Sequence, residues 1–186
     1  MVKYSQMNRP KRRQRRKTPM KKILALVLVL CMMIPALGMA EDVKIGVAQY
    51  AAHGTKCFAV MTVAMQGDKI VDAYIDEYQF MAAGSIGVPN SDKDFGTAYP
   101  EGKVLASKRQ NAEAYSANMA KAGSTIALDK NYEAIEAFVI GKTVAELEAA
   151  IAGKTAEEMV DAVSSCTLVD TLGYIQGLIE AAKAAQ

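Results

Sequence analysis

Residues 57–80 read CFAVMTVAMQ, GD, KIVDAYIDEYQF, and this stretch decides the fold. Cys57–Gln66 and Lys69–Phe80 are rich in β-branched and aromatic residues, and Gly67-Asp68 between them has the composition of a tight turn. In the second run Val71, Ala73 and Ile75 alternate onto one face, with Asp72, Tyr74, Asp76 and Tyr78 on the other. A period of two with this polarity predicts a sheet covered on one side and partly wet on the other. Val43–Gln49 reads as a further strand upstream. Residues 82–102 hold Gly84, Gly87, Gly96, Gly102, Pro89 and Pro100 with few apolar repeats, which predicts a long loop.

From Lys103 the period changes. Leu105, Lys108, Ala112, Tyr115 and Met119 fall on one helical stripe that ends at Gly123. Asn131 to Ile140 reads as a second helix stopped by Gly141. An echo follows, Gly141-Lys142-Thr143-Val144-Ala145-Glu146 and then Gly153-Lys154-Thr155-Ala156-Glu157-Glu158. In each copy Gly closes one helix, Thr caps the next, and the Glu three residues on completes a capping box. Neither copy has the upstream Gly and strand that a phosphate loop needs. A last helix is predicted from about Leu168, its apolar stripe formed by Leu168, Leu172, Ile175, Ile179 and Ala182. Strands first and helices after imply an α+β domain: a small antiparallel sheet packed against C-terminal helices.

Charge divides the chain at Ala40. Residues 1–40 contain no Asp or Glu, whereas residues 41–186 carry 12 Lys or Arg against 20 Asp or Glu, a formal charge of −8. An acidic body argues against nucleic acid as a partner, because phosphate binding needs clustered Lys and Arg. The 51% apolar content excludes a disordered chain. Lys21-Lys22, the uncharged run from Ile23 to Ala40, and small residues at Gly38 and Ala40 form the pattern of a secretory signal peptide cut before Glu41. Met20 reads as a natural start, with residues 1–19 upstream of it. These features predict a secreted or extracytoplasmic domain over 41–186. An uncleaved anchor, with association at a membrane surface, is the alternative reading of the same run.

Conventional catalytic signatures are weak. His53 is the sole histidine, too few ligands accompany it for a metal site, and it reads as a loop residue with a local hydrogen bond. Asp92 and Asp94 read as turn residues. Cys57 and Cys166 form one disulfide or two separate thiols; spacing alone does not decide between them. Tyr50, Tyr78 and Phe80 are aromatic residues near predicted sheet ends.

The most informative stretch is Asp161-Ala162-Val163-Ser164-Ser165-Cys166-Thr167, directly before the last helix. Helix capping by Thr167 or a serine explains it in part. The stretch also resembles the flavin-attachment motif of the FMN-binding domain of exported flavoproteins. That motif runs Asp, two variable residues, Ser or Thr, Gly or Ser, Ala, Thr, with an apolar helix after it. Asp161, Ser164, Ser165 and Thr167 match, and Cys166 stands where Ala is usual. The hairpin around Gly67-Asp68-Lys69-Ile70 resembles the family's paired strands, while residues 82–150 have no counterpart in it.

The resemblance implies that FMN is carried covalently at Thr167, with Asp161, Ser164, Ser165 and Cys166 forming the surrounding motif. It also implies a flavin transferase as a transient partner, further redox partners, and a role in extracytoplasmic electron transfer. The redox chemistry would then be the flavin's, without a substrate-specific catalytic residue. A flavin-free exported binding module on the same fold is the alternative.

Overall fold

The computed structural model describes residues 41–186, which form one compact unit. The apolar run from Ile23 to Ala40 and the predicted cleavage site lie outside the described residues. Among those described, no helix is long and apolar enough to cross a membrane. The architecture is α+β. Four antiparallel strands, β1 (Val43–Tyr50), β2 (Cys57–Gln66), β3 (Lys69–Ala82) and β4 (Lys103–Ser107), lie side by side in chain order. Five helices follow: α1 (Ala112–Lys121), α2 (Leu128–Val139), α3 (Val144–Ile151), α4 (Ala156–Ala162) and α5 (Thr171–Ala184).

The central hairpin forms where the sequence predicts it, with Gln66 paired to Lys69 across Gly67-Asp68. Gly67 takes φ +61°, the left-handed region that glycine enters without steric cost. Ala59, Met61, Val63 and Met65 alternate inward from β2 and are almost fully buried. The predicted inward face of β3 needs one correction. A bulge opposite Ala64 and Met65 inserts one residue into β3, so Ile70 and Ala73 both face the core. Val71 is left 41% exposed. Asp76, expected on the wet face, is buried and accepts a 2.7 Å hydrogen bond from the Ser107 hydroxyl.

Residues 103–107 are a second correction, for they form strand β4 rather than the start of a helix. Leu105 pairs with Phe80 and Ser107 with Tyr78, which satisfies backbone groups that the long β3 would otherwise leave open. Five residues are too few for a period to separate strand from helix. The helix on that stripe begins only at Ala112. Just before it, the Asn111 side chain acts as a short piece of strand. It accepts from the Ile86 amide (2.8 Å) and donates to the Ile86 carbonyl (3.0 Å), pinning the 83–102 loop.

Both predicted capping boxes are present. Thr143 with Glu146 opens α3, and Thr155 with Glu158 opens α4. Helix α5 runs across the inner sheet face and buries Tyr174, Ile175, Leu178 and Ala182. Its approach to the sheet requires glycine: a Cβ on Gly46 would sit 1.9 Å from the Ala181 carbonyl oxygen, and one on Gly177 2.4 Å from the Met61 sulfur. The helix starts at Thr171, three residues later than predicted. Its N-cap is Asp170, whose carboxylate is turned to His53 and makes no capping bond. Neither Thr167 nor either serine caps it.

Candidate functional site

The 163–170 segment between α4 and α5 is held from inside. Val163 and Cys166 are buried, while Ser164, Ser165 and Thr167 face solvent. Ser165 adopts φ +64°, a left-handed conformation uncommon for a residue with a Cβ. The Thr167 amide donates to the Asn131 side-chain oxygen (2.7 Å), and the Thr167 hydroxyl lies 3.3 Å from the same atom. Asn131 is fully buried on α2 and donates to the Ile126 and Ala127 carbonyls, so it ties the segment to the preceding loop. Nothing in local sequence pointed to Asn131, since its partner is 36 residues away.

Thr167 lies on the wall of a cavity of about 430 Å³. Tyr115 and Met119 of α1, Leu128 of α2, Leu168, Tyr174 of α5 and the 122–125 turn supply the rest of an aromatic and apolar lining. His53 and Lys108 also line it. This size and composition suit a small-molecule ligand, with a few polar groups set in apolar walls.

The structure separates the other motif residues from this cavity. Ser164 and Ser165 border a different depression of about 690 Å³, beside Lys130, Glu133 and Phe138. Asp161 borders a third, of about 250 Å³, which shares only Val169 with the Thr167 cavity. Cys166 points into the core, its sulfur 3.2 Å from the Thr171 hydroxyl. Tyr50, Tyr78 and Phe80 are absent from the cavity; Tyr115 and Tyr174 are the aromatic residues that line it. Helix α5 starts four residues after Thr167 with the acidic Asp170 at its N-cap, which opposes dipole support for an anion there.

Behind the cavity lies a buried polar cluster. Glu77, on the inner face of β3, is fully buried, and its Oε2 accepts from Lys108 Nζ, from the Tyr174 hydroxyl (2.9 Å) and from the Tyr132 hydroxyl (3.2 Å). Its Oε1 has no partner among the described residues. Burial pushes the Tyr132 and Tyr174 hydroxyls above the ordinary phenol range, which keeps both protonated as donors. Burial alone would pull Lys108 down, but the Glu77 carboxylate outweighs it and holds the ammonium above its usual range. Lys108 also sits 5.0 Å from the centroid of the Tyr115 ring.

At the rim, His53 Nδ1 bonds the Asp170 carboxylate, a partner 117 residues away rather than the local one expected. Cys57 Sγ donates to the His53 carbonyl (2.6 Å), and Cys57 and Cys166 are both unbridged. Burial, with Glu77 nearby, pushes the Cys57 thiol up to about 11, so at neutral pH it is a thiol and a poor nucleophile. Among the described residues no group of three or more His, Cys, Asp or Glu side chains gathers to hold a metal.

The fold and site thus define an α+β domain with Thr167 presented beside a ligand-sized cavity. Compared with family models, curated proteins and solved structures, the chain finds no match. The likeness to FMN-binding domains rests on the residues quoted from the sequence.

Proposed function

We propose that this protein is an exported FMN carrier that acts in extracytoplasmic electron transfer, with the flavin attached through its phosphate to Thr167. One observation carries the reading: Thr167 alone of the motif residues lines the 430 Å³ cavity, with its amide anchored by Asn131 and its side chain exposed. An accessible loop hydroxyl is what a separate transferase requires, since threonine is a weak nucleophile that another protein's base must activate. The transferase would use FAD: Thr167 Oγ forms a bond to the flavin-side phosphorus, AMP departs, and the hydroxyl proton passes to the transferase base. Ser165 supports the same reading, because its positive φ falls where the family motif takes Gly or Ser. Cys166 is no obstacle to transferase entry, as its sulfur is turned inward.

The cavity residues fit the ring system in kind. Tyr115, Met119, Leu128 and Tyr174 offer apolar and aromatic surface, and Lys108 offers a cation. FMN, when bound, would supply reversible electron uptake; the chain's own residues hold it and exclude water. The test is co-expression with a flavin transferase followed by in-gel flavin fluorescence. The wild type should fluoresce and Thr167→Val should be dark while retaining its fold. A dark wild-type band would overturn covalent attachment, and a fluorescent Thr167→Val band would move it to another residue.

A second reading, an exported binding module that takes its ligand reversibly, draws support from Asp161. Its carboxylate borders a separate depression and is not part of the Thr167 cavity. Visible flavin absorbance of the protein from its own host, lost or kept in denaturant, separates the two.

A further inference from the structure

We propose that Lys108 is the polar anchor of the Thr167 cavity, donating a hydrogen bond to a carbonyl or ring nitrogen of a planar heteroaromatic ligand seated beside Tyr115. The proposal deepens the flavin reading and rests on it for the identity of the ring. It starts from a census of the donors that line the cavity. Tyr174 has its hydroxyl on Glu77, the Ser124 hydroxyl donates to the Ile126 carbonyl, and His53 is engaged with Asp170. Lys108 differs. Its ammonium has three N–H groups, yet Glu77 is its one hydrogen-bond acceptor among the described residues.

Lys108 is 1% exposed as a residue, and its only partly bonded ammonium carries a desolvation cost that a ligand acceptor would relieve. The neighbouring Arg109 shows the contrast: its Nε donates to the Ile75 carbonyl (2.8 Å), its Nη2 bonds Glu136, and its side chain is 19% exposed, so its remaining N–H groups can reach water. Glu77, itself held by the Tyr132 and Tyr174 hydroxyls, fixes Lys108 in the cavity wall. An anchor fixed in this way selects position as well as charge. The Tyr115 ring beside the ammonium favours a flat partner.

Riboflavin is the probe, because it carries the ring system but lacks the phosphate that Thr167 would hold. Wild-type protein should quench riboflavin fluorescence on titration. Lys108→Met combined with Glu77→Gln removes both charges and leaves an amide to accept from Tyr132 and Tyr174. This pair should weaken binding by about tenfold or more, the value of one charge-assisted hydrogen bond. It should also lose the shift in the bound ring's absorption bands that a hydrogen bond to the ring produces, a readout that packing alone would not move. A second measurement needs no variant: the Nζ resonance of Lys108 in the wild type should move when riboflavin is added. Unchanged affinity in the folded double variant, an Nζ resonance indifferent to riboflavin, or no riboflavin binding by wild type would each overturn the proposal. A dark in-gel band alongside normal riboflavin titration would overturn covalent attachment at Thr167 and leave the Lys108 anchor standing.

Discussion

Lys108 and Arg109 are consecutive residues, each paired with a glutamate, and the two pairs do different things. Arg109 bonds Glu136 and the Ile75 carbonyl, its guanidinium stacks 4.5 Å from the Tyr74 ring and 5.3 Å from the Tyr132 ring, and its partly exposed side chain leaves the other N–H groups within reach of water. Glu136 in turn accepts from the Ile75 amide (2.7 Å), so the pair ties α2 to both polar groups of one β3 residue. Burial raises the Glu136 carboxyl even so, against the opposing pull of the Ile75 amide and Arg109. Lys108 and Glu77 are more deeply buried and less completely bonded, with Glu77 Oε1 unpartnered. A pair that water can reach serves the fold; a dry, under-bonded one beside a cavity is where a ligand can contribute binding energy.

The largest effect that would break this comparison comes from removing one charge of the buried pair. Lys108→Ala should destabilise by about 3–5 kcal/mol, since it strands a buried carboxylate. Arg109→Ala, at the better-solvated pair, should cost about 1–3 kcal/mol. Equilibrium urea unfolding measures both, and equal losses would erase the distinction. Asn131→Ala comes next, at about 1–3 kcal/mol, because it frees the Thr167 amide and two loop carbonyls. That loss should be accompanied by faster amide exchange across 163–170, measured by hydrogen–deuterium exchange.

Smaller again are the caps, which lie away from both ion pairs. Thr143→Ala and Thr155→Ala should each cost about 1 kcal/mol and add independently in the double variant. A further effect appears only at alkaline pH. The folded-state pKa of Cys57 is raised from 9.0 to about 11, so the folded chain keeps a proton that the unfolded chain loses. Stability must therefore fall as pH rises through that interval. Tyr78, raised from 10.0 to about 12 mainly by burial and then by Asp76, adds the same sign at higher pH. Cys57→Ser should flatten the lower part of the slope in urea titrations taken at successive pH values.

Much of the fold was legible because its signals are local. Gly67-Asp68 between two alternating runs specifies a hairpin, and Thr with Glu three residues on specifies each cap. The misread elements share one cause. Residues 103–107 became a strand because β3 offered them a partner, and Val71 turned outward because a bulge shifted the alternation by one. Within the candidate site, Thr167 was legible as a motif residue, whereas its setting was not. Asn131, Lys108, Tyr115 and Tyr174 come from three helices and the segment after β4, and their spacing in sequence carries no period.

Sequence by itself determined the class: strands then helices, the acidic charge of residues 41–186, the turn and the two capping boxes. These follow from side-chain alternation, backbone conformational preference and charge, properties of neighbouring residues. Only the tertiary structure decided that Thr167 and not Ser164 or Ser165 lines the 430 Å³ cavity, that Asp161 stands apart from it, and that His53 pairs with Asp170. The physical reason is range: a cavity is the space left where α1, α2 and α5 pack, and a buried ion pair such as Glu77–Lys108 exists only once the sheet and helices have removed water from both partners.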